Sequence, residues 1–293
     1  MGRIDFSKKI KKIVKKRVSY IKYILKKRNA LHLSDNTIKD VSDSSSAKIA
    51  IHFHIFYIDL IDEIYEYLAN IKNHFTLIIT VVNEKDYQVL SNFFKLHQHS
   101  YDLKIIIVQN RGRDIYPFYL ALHNSYKDYD IIAHFHTKRS FHTDYGEKWR
   151  KYLFNNLIGK KCLFDNIINY FCRNQNVGFV TTPIVPINAI ISSYYDFIEN
   201  IDENKSNIIN TLNVFGVPSD LVNSNKFGLD FPCGNMFIAR SEAIKQFFSV
   251  NLTENDFPEE QRQLSGTLQH YVELIWNYVV KYNNYLYKEI IRK

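Results

Sequence analysis

Four apolar runs recur between Lys48 and Phe135, each followed by a polar or helical stretch. They are IAIHFHIFY (Ile49 to Tyr57), FTLIITVV (Phe75 to Val82), LKIIIV (Leu103 to Val108) and DIIAHF (Asp130 to Phe135). Between the first two runs, Leu60, Ile61, Ile64, Tyr65 and Leu68 share one helical face. Helices are also predicted over 86–97 and 117–124. Near-continuous apolar strands need cover on both faces, and a parallel sheet with helical crossovers supplies it. The predicted fold is therefore α/β, with a Rossmann-like, mostly parallel sheet flanked by helices and right-handed crossovers.

The second half is less periodic. It reads as a helical segment over 148–172, a strand over 177–183 and a polar, asparagine-rich insertion or lid over 192–226. The motif FPCGNMFIAR (Phe231 to Arg240) reads as a turn into a strand, and a last helix starts near Thr267. Ahead of the sheet, residues 5–28 place Phe6, Ile10, Ile13, Val14, Ile21, Ile24 and Leu25 at helical spacing, with lysines on the other face. This predicts a basic amphipathic helix (1–30), a serine-rich linker (31–47) and an α/β domain (48–293). The domain divides into a ligand-binding half (48–140) and a second half (141–293).

The formal charge of +8 is unevenly spread. Residues 1–28 carry twelve Lys or Arg against Asp5, a net +11, so the total of +8 leaves −3 on the rest. That excludes a nucleic-acid binder argued from overall basicity. A basic amphipathic segment suits the surface of an anionic membrane. Three cysteines without metal-ligand spacing indicate a reducing compartment. No apolar run reaches membrane-spanning length and no secretory signal is recognisable, so the expected location is cytoplasmic, peripheral at the inner face of the plasma membrane.

The chemistry concentrates between Asn110 and Ser140. Asn110, Arg111, Gly112, Arg113 and Asp114 follow the third strand, and His134, His136, Lys138 and Arg139 follow or end the fourth. Arginine forks suit phosphate oxygens, and a helix opening beyond Asp114 would aim its amides at the same anion. The competing reading is an Arg–Asp pair that braces the turn. His134 and His136 are two apart on a strand and face one way, as do His52 and His54. If the first and fourth strands are neighbours, the four imidazoles converge. Some of them would then be hydrogen-bonded core histidines, His52 first among them, and His134 with His136 form the alternative metal pair. In the second half, Asp230, Asn235, His270 and Glu273 are candidates for acid–base and acceptor contacts.

HFHIFYIDL (His52 to Leu60), NRGRDIYPF (Asn110 to Phe118) and YDIIAHFHTKRS (Tyr129 to Ser140) resemble the rhamnan synthesis F family. So do GEKWRKYL (Gly146 to Leu153), FPCGNMFIAR and GTLQHYVE (Gly266 to Glu273). The resemblance implies a GT-A-like glycosyltransferase of bacterial surface polysaccharide synthesis. Its donor would be a nucleotide-diphosphate sugar, such as an activated rhamnose, and its acceptor a lipid-linked glycan. It implies donor contacts from His54, Asn110, Arg111, Arg113, Asp114, His134, His136, Lys138 and Arg139. Gly234 and Asn235 would lie on the acceptor side, with a base among Asp230, His270 and Glu273. HFH stands where such enzymes carry Asp-any-Asp to hold Mg²⁺ or Mn²⁺, so cationic side chains are expected to take over the metal's work. The rival expectations are a non-catalytic, membrane-associated organiser of polysaccharide assembly and a His-cluster metal-dependent hydrolase.

Overall fold

The computed structural model describes residues 31–33, 46–97, 101–138, 145–183, 201–224, 231–232, 234–260 and 266–292. The basic segment 5–28, Arg139, Asp230 and Cys233 lie outside these residues. Among those described, eight strands form one sheet: β1 (Leu31–Leu33), β2 (Ile49–His54), β3 (Thr76–Val81), β4 (Asp102–Ile107), β5 (Ile131–His136), β6 (Val177–Thr181), β7 (Phe237–Arg240) and β8 (Leu286–Arg292). Their order is β1-β8-β6-β7-β5-β2-β3-β4. Only β7 runs antiparallel to its neighbours, so the sheet is mixed but mostly parallel.

The alternation of strand and helix appears as expected in the first half. Helices α1 (Ile61–Leu68), α2 (Glu84–Leu96) and α3 (Ile115–Leu122) follow β2, β3 and β4. Asn83 starts α2 two residues before the predicted boundary, because its side chain accepts from the Asp86 amide at 2.8 Å. β4 is the exception to two-sided burial: it is an edge strand, and Ile107 is exposed. The predicted helix over 148–172 is two helices, α4 (Tyr145–Leu157) and α5 (Leu163–Arg173), separated at Gly159. A Cβ there would sit 2.7 Å from the Asn155 backbone.

Two expectations are corrected. The linker starting at Leu31 opens with a strand, since Leu31–Leu33 pairs in parallel with β8. The described part of the presumed lid is core. α6 (Ile201–Val214) and α7 (Asp220–Ser224) pack against α9 (Leu268–Tyr282) and bury Ile208, Leu212, Phe215, Val217 and Val222. The asparagines between those apolar positions hid the helical period. Both halves of the α/β domain contribute strands to one sheet, because β7 bonds to β5.

Two apolar layers cover the sheet. Ile51, Phe53, Ile79 and Phe135 face α1, α2, α4 and α5 on one side. On the other, Ala50, Ile78, Ile132, Phe179 and Phe237 meet α3, α6, the short α8 (Lys245–Ser249) and α9. Among the described residues, no helix is long and apolar enough to cross a membrane.

Gly178 lies at the register shift between β6 and β8. An added Cβ would meet the Ala243 Cβ at 2.7 Å as well as Tyr285, so overpacking is unavoidable there. Gly178→Ala is expected to lower the unfolding free energy by about 2 kcal/mol in urea titrations.

Candidate functional site

β2 lies between β3 and β5, while the chain passes from β2 through β3 and β4 before returning to β5. The direction of winding therefore reverses between β2 and β5, and crevices of this kind bind ligands at the strands' carboxyl ends. The register pairs His52 with His134 and His54 with His136. Thr80 of β3 lies opposite His54. Alternation puts these side chains on the face packed by α3 and α9.

They form one buried hydrogen-bonded line. His54 Nδ1 meets Thr80 Oγ1 at 3.0 Å, and the same oxygen meets His52 Nε2 at 3.0 Å. His52 and His134 bond through their Nδ1 atoms at 2.9 Å, with rings stacked. His134 Nε2 reaches Asp114 Oδ2 at 3.0 Å. The Asn235 amide donates to that oxygen at 2.6 Å and accepts from Trp276 Nε1 at 2.9 Å. Phe118 and Phe237 wall His134 in.

Burial governs the titration of this line. It pulls His52 well below its ordinary pKa, helped by the neighbouring imidazoles. His54 is lowered to about 3, again by burial first, although Asp114 opposes the shift. Burial lowers His134 too, against the pull of Asp114. For Asp114 itself, burial would raise the pKa. The nearby His136, with the donors His134 and Asn235, overrides this and holds the carboxyl well below its usual range.

This geometry corrects several sequence assignments. His134 is fully buried with both ring nitrogens engaged, so it belongs to the core and cannot touch a diphosphate. His52 is a core histidine, as its sequence reading preferred. Asn235 is also buried and clamps Asp114 to Trp276 instead of lining the acceptor side. Asp114 precedes α3 but makes no side-chain cap, because its carboxylate turns inward. The two arginines pair with Glu259 and Glu260, while Asp114 takes its hydrogen bonds from His134 and Asn235. Arg111 donates to Phe257 O at 3.0 Å and Glu259 Oε1 at 3.1 Å, and Arg113 Nε reaches Glu260 Oε2 at 3.4 Å. Arg111 thus tethers the turn to segment 257–260, and Asn110 is exposed beside it.

The turn is held against its own preferences. Gly112 has φ 65° and Arg113 φ 54°. Gly112 also lies where a Cβ would be 2.7 Å from Phe257 and Tyr116 side chains, so it needs both the left-handed backbone and the missing side chain. Arg113 carries left-handed strain that packing around Asp114 must offset. Asn235 is left-handed as well, at φ 50°, a region Asn tolerates better than most.

Above the buried line lies a charged rim. Thr137 Oγ1 accepts the amides of Phe56 and Tyr57 at 2.9 and 3.0 Å, joining the loops after β2 and β5. Lys138 follows, its Nζ 4.0 Å from the Trp149 ring centroid. His136 Nε2 donates to Gly234 O at 2.8 Å. Gly234 has φ 93° and packs so closely on Trp149 and Leu153 that a Cβ would lie 2.8 Å from Leu153. Glu273 of α9 is partly buried, with its pKa raised to about 7 by burial and by Asp114 and eased down by Lys138 and Arg113. His270 instead bonds Thr267 at the start of α9. Sequence reasoning missed Thr80, Trp149, Trp276 and Glu260. Thr80 alone had a visible signal, as a hydroxyl inside the apolar stretch Leu77 to Val81.

Magnesium and manganese favour several oxygen ligands. Of the carboxylates near the strand ends, Asp114 already accepts two hydrogen bonds through Oδ2. The alternative His134–His136 pair fails because both His134 nitrogens are bonded. Among the described residues, no group of three or more His, Cys, Asp or Glu is disposed to hold a metal. The described side chains do not fit such an ion.

Asn235→Ala removes two buried hydrogen bonds, orphans the Trp276 N–H and puts Ala at positive φ. Its expected cost is about 3 kcal/mol or more, measurable by urea unfolding followed through tryptophan fluorescence.

A family model described as "Rhamnan synthesis protein F" matches residues 7–285. Two curated relatives from Xanthomonas campestris pv. campestris, strains B100 and ATCC 33913, both carry the name "Uncharacterized protein WxcX". Each is 26% identical over 250 residues, covering 84% of this chain and 33% of the relative. The chain therefore spans about a third of the length of the curated relatives it matches.

Proposed function

The chain belongs to the rhamnan synthesis protein F family, and we propose that its part in that family's polysaccharide synthesis is glycosyl transfer from a nucleotide-diphosphate sugar. The observation that carries this reading is the rim at the strand ends. There Glu273, a carboxyl titrating near neutrality, feels both Lys138 and Arg113. In the proposed step an acceptor hydroxyl attacks the anomeric carbon while the bond to the diphosphate oxygen breaks. The hydroxyl proton passes to the Glu273 carboxylate. Lys138 and Arg113 meet the charge that develops on the leaving diphosphate, the task a divalent metal performs elsewhere. A base poised near the working pH suits this role.

A lipid-linked bacterial surface glycan is the proposed acceptor. The basic amphipathic pattern of residues 5–28 supports it, because that segment would hold the protein at the anionic inner face of the plasma membrane. The pairing of Arg111 with Glu259 and of Arg113 with Glu260 favours one second reading, a non-catalytic organiser of polysaccharide assembly. A calorimetric panel of nucleotide-sugars separates the two, since the organiser binds none and the transferase binds and turns over at least one.

Glu273→Gln is expected to abolish transfer while nucleotide-sugar binding persists. The wild-type rate should rise with pH, half-maximal near 7 and levelling about one unit above, as the carboxyl loses its proton. Stability runs the opposite way. A carboxyl whose pKa is higher folded than unfolded favours the fold when protonated, so its penalty grows from about pH 4.5 to 7 and then levels. Glu273→Gln should therefore raise the melting temperature at pH 8 and leave it nearly unchanged at pH 4.5, with a gain of at most about 3 kcal/mol. Undiminished transfer by the variant would remove Glu273 from the mechanism.

A further inference from the structure

The buried line has a fixed direction. An ionised carboxylate only accepts, so His134 Nε2 carries the proton it shares with Asp114. Neutral His134 then has an acceptor at Nδ1, which obliges His52 Nδ1 to donate. His52 Nε2 is left as an acceptor and receives the one proton of the Thr80 hydroxyl. Thr80 Oγ1, having given that proton, accepts from His54 Nδ1. His54 is thereby locked in its Nδ1–H form, with a bare lone pair on Nε2. Among the described residues, none hydrogen-bonds to Nε2, and His54 ends β2 at the ligand-binding edge with 5% of its surface exposed.

We propose that His54 reads a neutral donor group. Its Nε2 accepts a hydrogen bond from an N–H or O–H of the nucleotide-sugar and makes no contact with the diphosphate. The inference rests on the proposed transferase reading and reverses the sequence expectation that His54 helps to hold phosphate. An acceptor lone pair repels phosphate oxygens. It discriminates well, because a ligand lacking the donor leaves a nearly buried polar atom unpaired. The charged and titratable groups around His54 are Asp114, His136, His134 and His52. Burial, the largest influence on the ring, keeps it uncharged, so the reading stays neutral throughout the physiological range.

Two-bond ¹H–¹⁵N correlation on the full chain labelled with ¹⁵N-histidine tests the line without any ligand. His54, assigned by the loss of its signals in His54→Gln, should be the neutral Nδ1–H tautomer at pH 7 and remain neutral at pH 5. An Nε2–H or imidazolium form of His54 at pH 7 would overturn the inference and leave the transferase reading intact. Thr80→Val breaks the line and should release His54 to the Nε2–H form, whereas Thr80→Ser should keep Nδ1–H. An unchanged His54 in folded Thr80→Val would equally reject it.

Calorimetry then identifies the donor group. UDP and dTDP carry an imide N–H that CDP lacks, and a deoxy sugar lacks the hydroxyl of its parent. His54→Ala should weaken the donor-bearing ligand about tenfold, the size of one lost hydrogen bond to a buried acceptor. Inorganic pyrophosphate should bind the variant and the wild type alike. A loss confined to UDP or dTDP assigns the contact to the base, and a loss confined to sugar-bearing forms assigns it to the sugar. Equal weakening of pyrophosphate would show a phosphate contact and overturn the proposal. A wild-type chain that binds no nucleotide-sugar would remove the ligand together with the proposed function, while leaving the tautomer result standing.

Discussion

The carboxylate of Asp114 is the constraint on which the rest of the site depends. It is buried and stays ionised because His134 and Asn235 donate to it and His136 lies close by. Through Asn235 it reaches Trp276, which stands in the aromatic layer with Phe179, Phe237 and Phe247. Through His134 it fixes the protonation of residues on β5, β2 and β3. One charge therefore ties the sheet to α9, and removing it would leave several buried polar atoms unpaired at once. Unpaired buried groups cost more than the bonds themselves contribute, so such a network rewards completeness.

The same carboxylate explains why strain gathers around it. A residue preceding a helix ordinarily caps it. Asp114 does not, and α3 forgoes that cap so that the carboxylate can face the sheet. Reaching this orientation takes a turn with Gly112 and Arg113 both left-handed, held down by Phe257 and by the Arg111 contacts to Phe257 and Glu259. The opposing clamp, Gly234 and Asn235, is left-handed too. Two unfavourable turns thus meet at one favourable ionic network. Backbone strain persists where surrounding contacts over-determine it, and sites of function are where it commonly gathers.

Much of this architecture was legible in the sequence because the first half obeys simple periods. Four apolar runs gave four parallel strands, and the spacing of two between His52 and His54, and between His134 and His136, placed them on one face. Their convergence followed once β2 and β5 became neighbours. What spacing could not show was depth. His134 and His136 have the same sequence character, yet one lies beneath Phe118 and Phe237 and the other at the rim beside Gly234. Nor could it show that Arg111 and Arg113 would pair with Glu259 and Glu260, nearly 150 residues away. Residues 201–224 misled for a different reason, since polar asparagines, with Asn210 and Asn213 exposed, masked the apolar stripe that packs on α9.

Depth also settles how the cluster divides its work. A line of neutral imidazoles under a hydroxyl cannot neutralise a diphosphate, because burial removes their charge. Any anion at these strand ends must be met by permanent cations on the rim, of which Lys138 and Arg113 are near Glu273. Lys138 is braced on Trp149, and the loop behind it is pinned by Thr137 to the amides of Phe56 and Tyr57. In the proposed transfer the buried layer supplies orientation and the rim supplies charge. Glu273 sits where the two meet, buried enough to hold its proton near neutrality and near enough to the cations to release it. The proposed proton transfer rests on that placement more than on the number of basic residues in the sequence.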